Sequence, residues 1–257
     1  MAKAVNNAAS TCEEKAKRRF FVDAACNPLT LTEGEHHHLT QVLRAKVGEQ
    51  VIVCTGDGYD YTYAIRAIHK TETVLDFIEK TENDREPTVR VTLFSAIMKG
   101  DKNEFVAQKA TELGVWEICP MRTAFVQAHD RNLRVERLSK IVREAAKQCG
   151  RSTYPTVREP VDFAKVVESL AAFDLVVFPF ERAKNPSLKA FLREKNLYAT
   201  HSIALIVGSE GGFSEQEAAA LVAAGVTPVT LGKRILRAET ANLAVLSAVM
   251  YEAEQWQ

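Results

Sequence analysis

The 257-residue chain contains no apolar run of about 18 residues, so its sequence offers no transmembrane helix. Its five cysteines, Cys12, Cys26, Cys54, Cys119 and Cys149, are scattered, with no C-x-x-C pair. An odd, dispersed set argues for reduced thiols in a cytoplasmic protein and against structural zinc. No G-x-G-x-x-G followed by an acid is present, which disfavours a nicotinamide site, and the absence of G-x-x-x-x-G-K-[ST] excludes a P-loop. No charge predominates either: Lys+Arg and Asp+Glu both number 33. Zero net charge argues against a nonspecific nucleic-acid binder, although a local basic patch would suffice for binding. Residues 1–17 lack the apolar centre of a signal peptide, and their composition predicts a disordered extension.

What remains reads as an ordinary soluble globule, 46% hydrophobic and 26% charged. Residues 18–80 read as a small β-rich module. Phe20-Phe21-Val22 is a short strand, and strands are expected at 50–55, 59–68 and 73–79, with Gly56-Asp57-Gly58 as a tight turn. Thr32-Glu33-Gly34-Glu35 has the form of a capping box opening a helix through Arg44. Residues 81–88 are polar, contain Pro87 and read as a linker. From 89 to 257 strands alternate with helices, the pattern of an α/β domain with a parallel sheet. Strands are expected near 89–98, 117–120, 175–178, 203–207 and 228–231. Helices are expected near 102–113, 135–149, 162–171, 187–194, 214–224 and 239–256. Ser214 and Glu217 form another capping box, stopped by Gly225.

Two glycine-containing loops leave the last two strands. Ile203–Val207 runs into Gly208-Ser209-Glu210-Gly211-Gly212-Phe213, and the final strand runs into Gly232-Lys233-Arg234-Ile235-Leu236-Arg237-Ala238-Glu239-Thr240-Ala241. That end of a parallel sheet is where ligands bind. Such loops are ordinarily plain turns. Here Ile235 and Leu236 are apolar where a turn is normally polar, and either could cover one face of a purine. A ligand held by backbone without a phosphate cradle fits S-adenosylmethionine, and a carboxylate at Glu210 or Glu239 would favour its positive sulfonium. Glu239 also suits a helix start.

"GSEGGF" followed by "LGKRILRAETA" resembles the knotted SPOUT-class methyltransferases, and within them the 16S rRNA (uracil-N3) methyltransferase family. "RRFFVD" with "HHLTQVLRAKVGE", "QKATELGV" and "EAAKQCGR" resemble further segments of that family. Together they cover Arg18 to Tyr251. The resemblance implies a PUA-like β-barrel, then a methyltransferase domain with a deep trefoil knot, working as a homodimer on 16S rRNA within the small ribosomal subunit. It implies a cofactor site at Gly208, Glu210, Gly211, Gly212, Leu231, Gly232, Ile235, Leu236, Thr240 and Ala241.

Methyl transfer to uracil N3 needs loss of a proton and spreads charge onto the ring oxygens. Arg237 is the candidate to stabilise that charge, being permanently ionised with paired planar donors. It cannot be the base; Glu239 and solvent stand as candidates. No cysteine lies in the glycine loops, so direct transfer to nitrogen or oxygen is the simpler chemistry.

For RNA contact the candidates are Lys140, Arg143, Lys147 and Arg151, three or four apart on one face, with Arg131 and Arg134 extending them. Such a stripe is more often a solvated helix face. In the first module Arg18, Arg19, Phe20 and Arg44 combine cations with an aromatic ring, although strand alternation would bury one of Phe20 and Phe21. Adjacent His36, His37 and His38 point apart, so no metal is expected there. The last helix, apolar to Trp256, is explained by core packing, to which the resemblance adds a dimer interface. The rivals are a ribose 2′-O or tRNA methyltransferase of the knotted class, a non-catalytic RNA-binding assembly protein, and a Rossmann oxidoreductase.

Overall fold

The computed structural model describes residues 18–126 and 133–255. Residues 1–17, including Cys12, and also Arg131 and Trp256, lie outside the described residues. The chain divides into two units between Glu82 and Asn83.

The first unit is a curled five-stranded sheet. Its strands are β1 (Arg19–Phe21), β2 (Leu29–Thr32), β3 (Gln50–Cys54), β4 (Tyr59–Ile68) and β5 (Glu72–Glu82), in the order β1-β3-β4-β5-β2. Only β1 with β3 is parallel. Phe20, Leu31, Leu39, Val51, Val53, Tyr63, Ile65 and Leu75 fill its concave side. Glycines at 56 and 58, both with positive φ, make the turn between β3 and β4. Thr32 does not form the expected capping box. It is the last residue of β2, paired with Glu72, and Glu33 at φ 46° turns the chain before the Thr32 hydroxyl can reach an amide. The helix is therefore short, α1 (Glu33–His37), continued by a π-helical turn over His38–Val42.

The second unit is built on a parallel sheet of seven strands: β6 (Arg90–Ala96), β7 (Glu117–Arg122), β8 (Thr156–Val157), β9 (Val161–Asp162), β10 (Leu175–Pro179), β11 (Ser202–Val207) and β12 (Pro228–Val229). The order is β12-β10-β11-β6-β7-β8, with β9 also on β7. Alternation along each strand divides the core in two. On β11, Ile203, Leu205 and Val207 face one cluster, while Ala204 and Ile206 face the other. Helices α2 (Lys102–Glu112), α3 (Val135–Cys149), α5 (Leu188–Arg193) and α7 (Ala238–Glu252) cover the first face. Helices α4 (Phe163–Ser169) and α6 (Glu215–Ala223) cover the second. Burial on both faces explains why β11 is continuously apolar. Ser214 accepts from the Glu217 amide at 3.2 Å and Glu217 accepts from the Ser214 amide at 2.8 Å, the reciprocal box expected for α6. Gly225, at φ 84°, ends that helix.

The segment read as a linker is not loose. Thr81 and Glu82 complete β5. Asn83 donates to the Gly150 carbonyl at 3.1 Å, and Glu86 is bound by the loop after α3. Both residues belong to the second unit.

Candidate functional site

Three loops leave the carboxyl ends of β10, β11 and β12 and surround a cleft of about 460 Å³. Two of them are the glycine loops. The sequence placed β11 and β12 in succession; the structure inserts β10 between them. The β10 loop, Pro179-Phe180-Glu181, therefore forms a third wall between the glycine loops.

The glycines let the loop pack closely against its neighbours. A Cβ at Gly208 would lie 3.0 Å from the Phe213 ring and 3.1 Å from the Gly212 backbone. One at Gly211 would lie 2.9 Å from Phe125 Cβ. Gly212 has φ 68°, and a side chain there would meet the Glu181 carboxylate. Leu231, Gly232, Ile235, Leu236, Arg237 and Ala241 line the opposite wall, and Ile235 is 87% exposed.

Glu210 lines the cleft with its charge already taken. It accepts from the Lys102 ammonium at 2.8 Å and the Lys99 amide at 3.1 Å. Burial pushes its carboxyl up, but the Lys102 hydrogen bond, its own backbone amide and the Lys99 amide outweigh this and hold it below the ordinary range. The bond to Glu210 in turn raises the Lys102 ammonium. Glu239 and Thr240 do not line the cleft, contrary to expectation. Ala238 and Ala241 face it from the first turn of α7, so the two residues between them point elsewhere. Glu239 lies behind, 3.7 Å from Lys102. Lys102 carried no signal in the sequence beyond marking a helix start, and neither did Glu181.

Arg237 is exposed on the cleft wall, and its guanidinium has no hydrogen bond or ion pair among the described residues. Exposed Lys233 and Arg234 accompany it on the same loop.

The expected RNA contacts separate into surface and interior. Lys140 is exposed. Arg143 is half-buried, its guanidinium 5.9 Å from the Tyr154 ring. Lys147 is only 8% exposed and pairs with Glu144 at 2.9 Å. Arg151 is buried. It bonds Glu86 through two nitrogens and donates to the carbonyls of Thr111 and Val115 at 3.1 and 2.8 Å. Gly150, at φ 85°, turns the chain inward at the end of α3, so Arg151 leaves the helical stripe. In the first unit Arg19 is buried against Asp60 at 2.8 Å, and Phe20 is wholly buried in the core. These three residues are structural. Arg18 pairs with Glu49 at 2.8 Å on the surface, and Arg44 is exposed.

The histidines diverge: His36 Nδ1 lies 2.9 Å from the Thr73 hydroxyl, while His38 packs edge-on against Phe20. No group of three His, Cys, Asp or Glu suited to a metal occurs among the described residues, and no helix among them is long and apolar enough to cross a membrane.

Residues 84–250 match the RNA methyltransferase domain family, and residues 31–77 match the RNA methyltransferase PUA domain. A ribosomal RNA small subunit methyltransferase E from Bacillus subtilis is 34% identical over 249 residues, spanning 92% of this chain and 97% of its own. The chain belongs to the ribosomal RNA small subunit methyltransferase E family. Two solved relatives in complex with S-adenosylmethionine share its fold. A Legionella pneumophila methyltransferase has TM-score 0.82 and 30% identity, covering 91% of this chain and 97% of its own. A small subunit methyltransferase E from Neisseria gonorrhoeae has TM-score 0.82 and 28% identity, with the same coverages of 91% and 97%. Membership of the methyltransferase E family makes the protein an RNA methyltransferase, with a PUA domain ahead of its catalytic domain.

Proposed function

We propose that the protein transfers a methyl group from S-adenosylmethionine to N3 of a uridine in 16S rRNA, acting on the small ribosomal subunit as a homodimer. The observation that carries this reading is the cleft itself. Two glycine loops line it, and Arg237, unpaired among the described residues, stands on its wall.

The residues present fit the cofactor. Gly208, Gly211 and Gly212 let the loop fold tightly against Phe213, Phe125 and Glu181 so that its backbone borders the cleft with no phosphate cradle, and Ile235 and Leu236 offer apolar cover for a purine. When bound, the cofactor supplies an electrophilic methyl group on a sulfonium. Everything else falls to the chain. The glycine-loop backbone positions the donor, Ile235 and Leu236 exclude water, and Arg237 stabilises charge spreading onto the uracil oxygens in the transition state. Lys233, Arg234 and Lys140 provide exposed cations for the RNA backbone. The trefoil knot implied by the sequence resemblance belongs to the same reading.

The test is nucleoside mass mapping of 16S rRNA from a strain lacking the gene, before and after incubation with the protein and S-adenosylmethionine. The reading requires a single new 3-methyluridine. A methyl on a ribose or in tRNA would replace it.

A further inference from the structure

Of the two acids weighed from sequence, Glu210 has its charge taken by a hydrogen bond from Lys102. Glu239 is kept from the uracil proton by its position, its Oε2 buried without a hydrogen bond among the described residues and outside the cleft lining. Glu210 is bonded at 2.8 Å, and Glu239 sits off the cleft at 3.7 Å from the same ammonium. A third carboxylate is on the cleft wall. Glu181 follows β10, the strand inserted between the two that carry the glycine loops. It is exposed, and makes no hydrogen bond or ion pair among the described residues. Its oxygen would stand 3.0 Å from a Cβ at Gly212, so the absence of a side chain at 212 leaves that carboxylate its place.

We propose that Glu181 is the general base of the methyl transfer. This rests on the reading of uracil N3 as the acceptor. A carboxylate oxygen takes the N3 proton while the N3 electron pair forms the bond to the methyl carbon. The carbon–sulfur bond breaks with its pair going to sulfur, leaving a neutral thioether. The proton then passes from Glu181 to solvent, so no further reactant is needed. Arg237, on another wall of the cleft, stabilises the charge on the ring oxygens, so a fixed cation and a base divide the work. The other charged groups around the cleft are Lys102 and Glu210, bonded to each other, and Lys233, Arg234 and Arg237 of the last loop. Arg182, next in the chain, is held by Glu215 at 3.0 Å and leaves Glu181 unneutralised.

The experiment compares full-length wild type, E181Q and E181D. Single-turnover transfer to small subunits from the deletion strain is followed from pH 6 to 9.5, with calorimetry of S-adenosylmethionine binding and nucleoside analysis alongside. Glu181→Gln should lower the rate about 100-fold or more. Its residual rate should climb tenfold per pH unit as solvent takes over the proton, with cofactor affinity unchanged. Glu181→Asp should restore part of the rate and the wild-type shape of the profile. A rate within threefold of wild type, or a parallel loss of cofactor affinity, overturns the role of Glu181 while N3 stands. Methyl found on another atom in the wild-type product overturns the N3 reading and this role with it.

Discussion

The carboxylate of Glu86 clasps the guanidinium of Arg151, its Oε2 accepting from Nε at 3.1 Å and from Nη2 at 2.9 Å. The other oxygen accepts from the amides of Ser152 and Thr153, both at 2.9 Å. The pair therefore pins the segment before β6 to the loop after α3. Arg151→Ala should destabilise the second unit by about 3–5 kcal/mol, the cost of stranding a buried charge. Urea unfolding followed by tryptophan fluorescence measures this. A loss under 1 kcal/mol would return Arg151 to the surface and to the RNA.

Gly211→Val should weaken S-adenosylmethionine binding by about tenfold or more, at least 1.4 kcal/mol. Any Cβ at 211 runs into Phe125, and the loop must shift to admit it. Calorimetry on the folded variant decides the matter, and unchanged affinity would place the cofactor elsewhere.

Arg237→Ala should reduce turnover by about 100- to 1,000-fold while leaving cofactor affinity near wild type, as expected for a group acting on transition-state charge. The Arg237 guanidinium has no partner among the described residues, so its removal breaks no ion pair there. Equal losses in affinity and rate would assign it to the cofactor instead.

Lys140→Glu should weaken rRNA binding and flatten the dependence of log affinity on log salt by about 0.7–0.9 per lost phosphate contact. Lys147 is the internal comparison. Tucked against Glu144, it should change that slope little when replaced by Met. Filter binding from 50 to 300 mM salt reads both, and an unaltered slope in Lys140→Glu would exclude α3 from the RNA path.

Cys54 supplies a pH test. Burial pushes its thiol up to about 12, with the Arg19 charge opposing and Asp60 reinforcing the shift. The fold thus favours the protonated form. Its contribution is fully present below the unfolded thiol value of about 8.5 and is lost as pH rises toward 12. Cys54→Ala should flatten the alkaline fall in melting temperature, and native Cys54 should resist iodoacetamide at pH 8 while exposed Cys26 reacts. Equal labelling of the two would refute the burial argument.

Much of the fold was legible because it follows from local periodicity. The helix over 135–149 has the same bounds in sequence and structure, and the Ser214–Glu217 box forms as written. The failures share a cause: partners distant in sequence. Thr32 was claimed by β5, and the two-residue strands β8 and β9 exist only because β7 offers hydrogen bonds. Arg19 and Arg151 looked like surface cations because Asp60 and Glu86 lie 41 and 65 positions away. The glycine loops and Arg237 could be read from their order. Glu181 could not, because only the crossover that seats β10 between β11 and β12 brings it to the cleft.

β12 holds just two residues, Pro228 and Val229, on the outer edge of the sheet. The loop bearing Ile235, Leu236 and Arg237 hangs from it, held further by Thr230 through the Pro186 carbonyl and the Leu188 amide, both at 3.0 Å. β11, by contrast, pairs along its length with β6. The cleft thus has one jamb fixed mid-sheet and the other fixed at the sheet's edge. Val229 is fully buried in the first apolar layer and Leu231 packs against that layer, so side-chain packing more than a long hydrogen-bond ladder fixes that wall.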